Sequence, residues 1–218
     1  MKLSVVSSKK RVDGEIGIIV NLFEKGLTTF HLRKNHYSKS KLKNFLKAIP
    51  KEYHSRIVLH SHQMLATKFN VQGVHFSTRQ LDKSGYLNKV KMCCKLLGRK
   101  MSFSRGFDNL SDLITERKYW DFVILNPVFD TVSDDPKATA FSNRAISSSL
   151  EQTGLKVAGL GGICIENLEM MKNFGFHEAI LNGEFWNSEK RITTFLQAQT
   201  TCENLNKPEN VVLRKVAN

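Results

Sequence analysis

Four short runs of strand character each carry polar groups at their ends: TTFHLRK (28–34), RIVLHSH (56–62), GVHFST (73–78) and KMSFSRG (100–106). Side chains two apart on a strand share a face. His31 therefore lies with Arg33, Val58 with His60 and His62, His75 with Ser77, and Ser102 with Ser104. Imidazoles suit proton transfer or metal ligation, and a guanidinium suits an anionic substrate. For any one of these histidines, a hydrogen-bonded core or rim residue is the default reading. Four adjacent strand ends carrying imidazole, guanidinium and hydroxyl groups together predict a polar pocket.

A second signal is AGLGGICIEN (158–167), where Gly159, Gly161 and Gly162 end an apolar run just before a helical stretch. Such a turn lets backbone N–H groups and a helix N-terminus approach an anion closely. Gly183, in ILNGEFW, follows the last strand run and would add a partner loop. The spacing is not a dinucleotide fingerprint: GxGxxG is missing, and so is a following acidic ribose ligand. The H-x-H of His60 and His62 raises a metal site, with His75 as a third ligand. No suitable Asp ends a later strand run, so no metal site is predicted. Neither a Ser–His–Asp elbow nor a close pair of strand-end carboxylates is visible.

These groups need a frame, and the frame is alternation. Strand runs at 3–8, 28–34, 56–62, 73–78, 100–106, 120–128, 156–162 and 178–186 are separated by helical stretches. The helices are expected near 15–25, 38–49, 62–70, 82–98, 109–118, 143–154, 165–175 and 188–204, with Gly26, Gly98, Gly154 and Gly175 as C-caps. Eight strands and eight helices in strict order predict an α/β chain folded as a compact single-domain (β/α)8 TIM barrel. A doubly wound open sheet is the competing arrangement, which pattern alone does not exclude. In a barrel, the polar strand ends and the glycine turn meet at one mouth, and loops after the last two strands hold phosphate. The loop 129–143, with Pro136 and no helical period, is the one long connection. The expected division is a barrel over 1–204 and a C-terminal tail over 205–218.

Composition bounds the rest. With 218 residues, 41% hydrophobic and 24% charged, the chain is long and apolar enough for one large core and is not disordered. The net charge of +13 comes from Lys and Arg spread at solvent-facing helix spacing. No RRM, KH, zinc-finger or basic-zipper pattern accompanies that charge, so the sequence points to anionic small molecules rather than nucleic acid. Cysteines 93, 94, 164 and 202 show neither zinc spacing nor a disulfide framework. No apolar run reaches membrane-spanning length, and the N-terminus lacks a secretory signal. A soluble, cytoplasmic protein is expected, free to form a homo-oligomer.

Taken together, FHLRK (30–34), RIVLHSHQMLATKFNVQGVHFS (56–77), DFVILNPVFDTVS (121–133) and VAGLGGICIENLEMMKNFGFHEAILNGEFW (157–186) resemble the thiamine phosphate synthase/TenI family. The resemblance implies a thiamine-biosynthesis barrel that binds a thiazole phosphate. Gly161, Gly162 and Gly183 then match the phosphate cradle; Ser102 matches a site serine. Thr131, Ser133 and Lys137 stand for the pyrophosphate clamp, with Arg33 and His75 on the substrate. A synthase would couple pyrimidine pyrophosphate to the thiazole phosphate with Mg²⁺. Its two Mg²⁺-binding Asp positions, however, fall on Ser61 and near Gln80, and only a local shift would bring in Asp82. The sister TenI branch tautomerises a thiazole carboxylate phosphate by proton transfer and needs no cofactor. Its usual histidine falls on Pro127, which leaves His60, His62 or His31 as the imidazole and Arg33 as partner of the substrate carboxylate. The expectation is a TenI-like thiazole tautomerase; the alternatives are a synthase and a non-catalytic phosphate-binding homologue.

Overall fold

The strand runs pair in sequence order, all parallel, and the first closes on the last. β1 (Lys2–Val6), β2 (Phe30–Leu32), β3 (Ile57–Leu59), β4 (Gly73–Phe76), β5 (Ser102–Phe107), β6 (Phe122–Leu125), β7 (Val157–Leu160) and β8 (Glu178–Leu181) form one closed barrel. Closure is made by β1 on β8, with Lys2 opposite Glu178 and Val5 opposite Leu181. An open doubly wound sheet is thereby excluded. The computed structural model describes residues 1–81, 85–131 and 141–207.

Alternation separates two cores. Outward side chains such as Val5, Phe30, Leu32, Ile57, Leu59, Val74 and Leu181 are buried against the helices. Inward ones follow a different rule on each side of the barrel. Val6, Ile124, Ala158, Leu160 and Ile180 form a small apolar cluster inside it. His31, His60, His75, Ser104 and Glu178 are also buried there. Filling a barrel with side chains is ordinary; filling part of it with titratable ones requires hydrogen-bond partners.

The helices are α1 (Glu15–Glu24), α2 (Lys39–Ala48), the single turn α3 (Thr78–Leu81), α4 (Tyr86–Leu96), α5 (Leu110–Thr115), α6 (Asn143–Gln152), α7 (Leu168–Phe174), α8 (Gly183–Asn187) and α9 (Arg191–Asn206). Side-chain caps fix three starts: Ser38 accepts from the Lys41 N–H, Asn109 from Asp112 and Ser142 from Ala145. Gly26, Gly98 and Gly175 end helices at positive φ as expected, whereas Gly154 does not adopt it. Between β3 and β4 the expected helix is only a 3₁₀ segment, Gln63–Thr67. The eighth strand stops at Leu181 and does not run on to residue 186, because the chain turns at Asn182 into α8. The last helix passes residue 204 to Asn206, and residues 208–218 of the expected tail lie outside the described residues. Among the described residues no helix is long and apolar enough to cross a membrane.

Candidate active site at the C-terminal mouth of the barrel

From β8 to β5 a chain of polar side chains crosses the barrel interior. Glu178 Oε1 lies 3.5 Å from His31 Nε2, and His31 Nδ1 lies 2.9 Å from His60 Nε2. The His60 ring then stacks on His75 with centroids 4.2 Å apart and 27° between planes. His75 Nδ1 continues to Ser104 Oγ at 3.1 Å. Gly106 makes room at the far edge of that ring: a Cβ there would stand 3.3 Å from His75 Nε2.

Above these rings is a cavity of about 280 Å³ walled by Arg33, Asn35, His60, His75, Gln80 and Asn126, among others. Burial, with His75, His31 and Arg33 nearby, holds His60 well below the ordinary imidazole range. Burial, with His31, Arg33 and Arg105, does the same to His75. Both rings are therefore neutral at pH 7. The loops that follow β3 and β4 are braced to their backbones. Gln63 Nε2 donates to the His75 carbonyl at 2.7 Å and Gln80 Nε2 to the His60 carbonyl at 3.3 Å.

The candidate residues divide by where the strands end. His60 and His75 face the cavity, and Arg33 reaches it from the end of β2. His31 is fully buried below His60 and touches the cavity only through it. His62 is not brought in: past Leu59 the chain is no longer extended, His62 takes a φ of 51°, and its Nε2 donates to the Tyr37 carbonyl at 2.7 Å. Ser102 sits at the base of β5, where its hydroxyl donates to the Gln72 carbonyl at 3.3 Å. Ser104, one step nearer the mouth on the same face, is the serine beside the imidazoles. Glu178 escaped the sequence reading. An acidic residue sharing the β8 interior face with Ile180 was its available signal, since a buried carboxylate needs a partner.

A second cavity, of about 460 Å³, adjoins the first and shares Arg33 and Asn126 with it. Its walls include Lys9, Thr131, Gly161, Gly162, Asn182 and Gly183, and also the carboxylates of Asp130, Glu166 and Glu184. Gly161 and Gly162 have φ of 96° and 67°. A Cβ on Gly162 would stand 2.7 Å from the Phe129 carbonyl carbon, so both backbone hand and space demand glycine. The β1–α1 loop that carries Lys9 is tied down by the buried Lys34, whose Nζ donates to the Ser8 carbonyl at 2.8 Å and meets Glu15 Oε2 at 2.7 Å. The cavity brings together Gly161, Gly162, Gly183 and Thr131, whereas Ser133 and Lys137 lie outside the described residues.

The positions that the resemblance assigns to Mg²⁺ do not offer what a hard cation needs. Gln80 Oε1 already accepts from the Ser77 N–H at 2.8 Å and from its hydroxyl at 3.1 Å. Ser61 is buried with its Oγ directed at the Lys34 carbonyl, 3.4 Å away. These are neutral, committed groups beside the Arg33 cation; Asp82 lies outside the described residues. Among the described residues, no three His, Cys, Asp or Glu side chains are placed to hold a metal ion.

Comparison with known proteins agrees with this architecture. The family described as thiamine monophosphate synthase matches residues 3–181. A crystal structure of thiamine phosphate pyrophosphorylase from Bacteroides thetaiotaomicron is 25% identical, with a TM-score of 0.75 over 95% of this chain and 100% of that one. Thiamine phosphate pyrophosphorylase from Pyrococcus furiosus is 14% identical, with a TM-score of 0.76 over 94% of this chain and 97% of that one. A 3-hexulose-6-phosphate synthase, 12% identical, shares the fold with a TM-score of 0.69 over 92% and 99% of the two chains. No curated protein sequence matches this one.

Proposed function

The chain belongs to the thiamine monophosphate synthase family, and on that premise we propose that it binds a thiazole phosphate and isomerises it by proton transfer, as TenI-type tautomerases do. The observation that carries this reading is the pair of desolvated neutral imidazoles, His60 and His75, walling a cavity that shares Arg33 with the glycine-lined one. In this reading the phosphate lies against Gly161, Gly162 and Gly183, where backbone N–H groups and Lys9 supply positive charge. Arg33 holds the substrate carboxylate through its two-pronged guanidinium. His60 takes a proton from one ring position and returns one to another, so the reaction needs neither an outside oxidant nor a metal. General acid–base help of this kind contributes about 10²–10⁴ in rate.

A second reading, thiamine phosphate synthase, is favoured by the division of the mouth into two compartments, which suits two substrates. Thiazole carboxylate phosphate should be converted to its aromatic isomer, followed by absorbance or NMR. The same protein should give no thiamine phosphate from pyrimidine pyrophosphate, thiazole phosphate and Mg²⁺. Coupling without isomerisation would replace the first reading by the second; binding of thiazole phosphate without either activity would leave a non-catalytic phosphate-binding homologue.

A further inference from the structure

His60 has a difficulty as a base: its ring is buried, and accepting a proton would leave a second cation beside Arg33. The interior chain of side chains offers a way out, and it rests on the proton-transfer reading above. We infer that Glu178, His31 and His60 form a proton relay in which His60 exchanges the proton with substrate and the positive charge settles on His31, against the Glu178 carboxylate.

The acceptor at the foot of the chain sets the direction. Burial alone would raise the Glu178 carboxyl, yet the hydrogen bond from His31 holds it below the usual carboxylate range. An ionised carboxylate only accepts, so the His31 nitrogen facing it, Nε2, carries the hydrogen. In the relay His31 carries only that hydrogen, so its Nδ1, 2.9 Å from His60 Nε2, accepts and His60 donates from Nε2. That leaves the lone pair of His60 on Nδ1, which has no hydrogen-bond partner among the described residues, on a ring that walls the cavity. When Nδ1 takes a proton from the substrate carbon, the Nε2 proton of His60 passes to His31 Nδ1. His60 ends neutral, and His31 ends as an imidazolium beside Glu178. The return of the proton to the product runs the same two transfers backward, and nothing else is consumed.

Glu178 and His31 are positioning residues here, because neither reaches the cavity. His75 stacks on His60 without sharing a hydrogen bond with it and stands outside the relay. An amide in place of Glu178 would keep the shape but donate as readily as it accepts, so His31 and His60 would be free to reverse their tautomers. In other sites, replacing an orienting carboxylate by its amide leaves the geometry and costs about 10⁴ in rate.

The test is two-bond ¹H–¹⁵N NMR of the histidine rings at pH 8.5 in the full chain, with and without Glu178→Gln. The relay requires protonated Nε2 and bare Nδ1 on both His31 and His60 in the unmodified protein. Glu178→Gln should lose that arrangement and reduce isomerisation at least about 100-fold in kcat with KM little changed. A bare Nε2 on His60 in the unmodified protein overturns the relay, whatever the variant does. So does a Glu178→Gln protein that folds and keeps both tautomers and rate. If the tautomers are as stated but no thiazole phosphate is isomerised, the relay stands and the proposed substrate fails. If isomerisation is found with the opposite tautomers, the substrate stands and the relay fails.

Discussion

Around the mouth of the barrel, the side built by β2 to β5 presents imidazoles that stand on strand interiors and hydrogen-bond downward into the barrel. The side built by β6 to β8 presents backbone from two glycine turns, with its charges on the surrounding loops. The first stands on buried rings: His60 and His75 are buried, and Gln80 and Gln63 donate to their backbone carbonyls. The second carries more charge of both signs, since Lys9 and Arg33 face it together with Asp130, Glu166 and Glu184. Buried imidazoles can move protons with little reorganisation, while a half made of backbone dipoles can grip an anion without titrating. Arg33 and Asn126 belong to both, so a substrate spanning them would be held at one end and reacted at the other.

The largest effect that would break this division is on the imidazole side. His60→Asn keeps a polar group of similar reach but removes the base, and kcat for isomerisation should fall about 10²–10⁴-fold. Affinity for the phosphate ester, read by calorimetry, should change little. A variant that loses affinity instead would mean that His60 grips substrate and that chemistry sits elsewhere.

Acid should also strike the imidazole half first. His60 and His75 are held below the ordinary imidazole value in the folded protein by burial and neighbouring cations. Below about pH 6.5 the unfolded chain therefore binds protons that the native state refuses, and stability falls as pH falls. Above that pH the two groups are neutral in both states and the penalty vanishes. Two such groups contribute a slope of at most about 2.7 kcal/mol per pH unit. Urea midpoints at pH 8 and pH 5.5 should differ accordingly, and the double variant His60→Asn, His75→Asn should flatten the difference. An unchanged slope would place the acid sensitivity outside the imidazole pair.

On the other side, Gly162 makes a poor probe, because any side chain there collides with the 129–130 backbone and a folding defect would mimic lost binding. Gly183 is the better one: a Cβ there meets nothing closer than Asn187 Nδ2 at 4.0 Å. Gly183→Asp should weaken thiazole phosphate binding about tenfold or more, roughly 1.4 kcal/mol, and leave the histidine NMR signals in place. Unchanged affinity would remove the phosphate from the glycine turns.

The two halves were also unequally legible in the sequence. The barrel could be read from alternation because each of its strands is a short apolar run between helical stretches, and His60, His75 and Arg33 followed from the two-residue period. That period holds only while the chain is extended, which is why His62, past the end of β3, turns away to Tyr37. Ser102 and Ser104 share a face, and what separates them is height: β5 begins at Ser102 and ends at Phe107, so only its upper residues near the mouth. Glu178 lies at the foot of β8, far in sequence from its partner His31, and only closure of the barrel brings the two together. On the glycine side, LGG announced a turn, but the carboxylates that share the cavity carry no motif. Their arrival depends on how three separate loops fold over it.

Those carboxylates give the smallest test of the comparison. Glu166 is exposed beside the Gly161–Gly162 turn and is held below the usual carboxylate range by its own backbone N–H and by the Cys164 thiol. Its charge sits on a wall of the cavity assigned to phosphate and spends a backbone donor that an anion would otherwise use. Glu166→Ala should therefore tighten binding of the phosphate ester. Because the group is solvent-exposed and screened, the gain should be about two- to fivefold and should shrink in high salt. Catalysis by bound substrate should not change, since the imidazoles stand in the adjoining cavity. A gain in affinity with constant kcat would sharpen the separation of grip from chemistry; a fall in kcat would show that the two cavities communicate through Arg33 and Asn126.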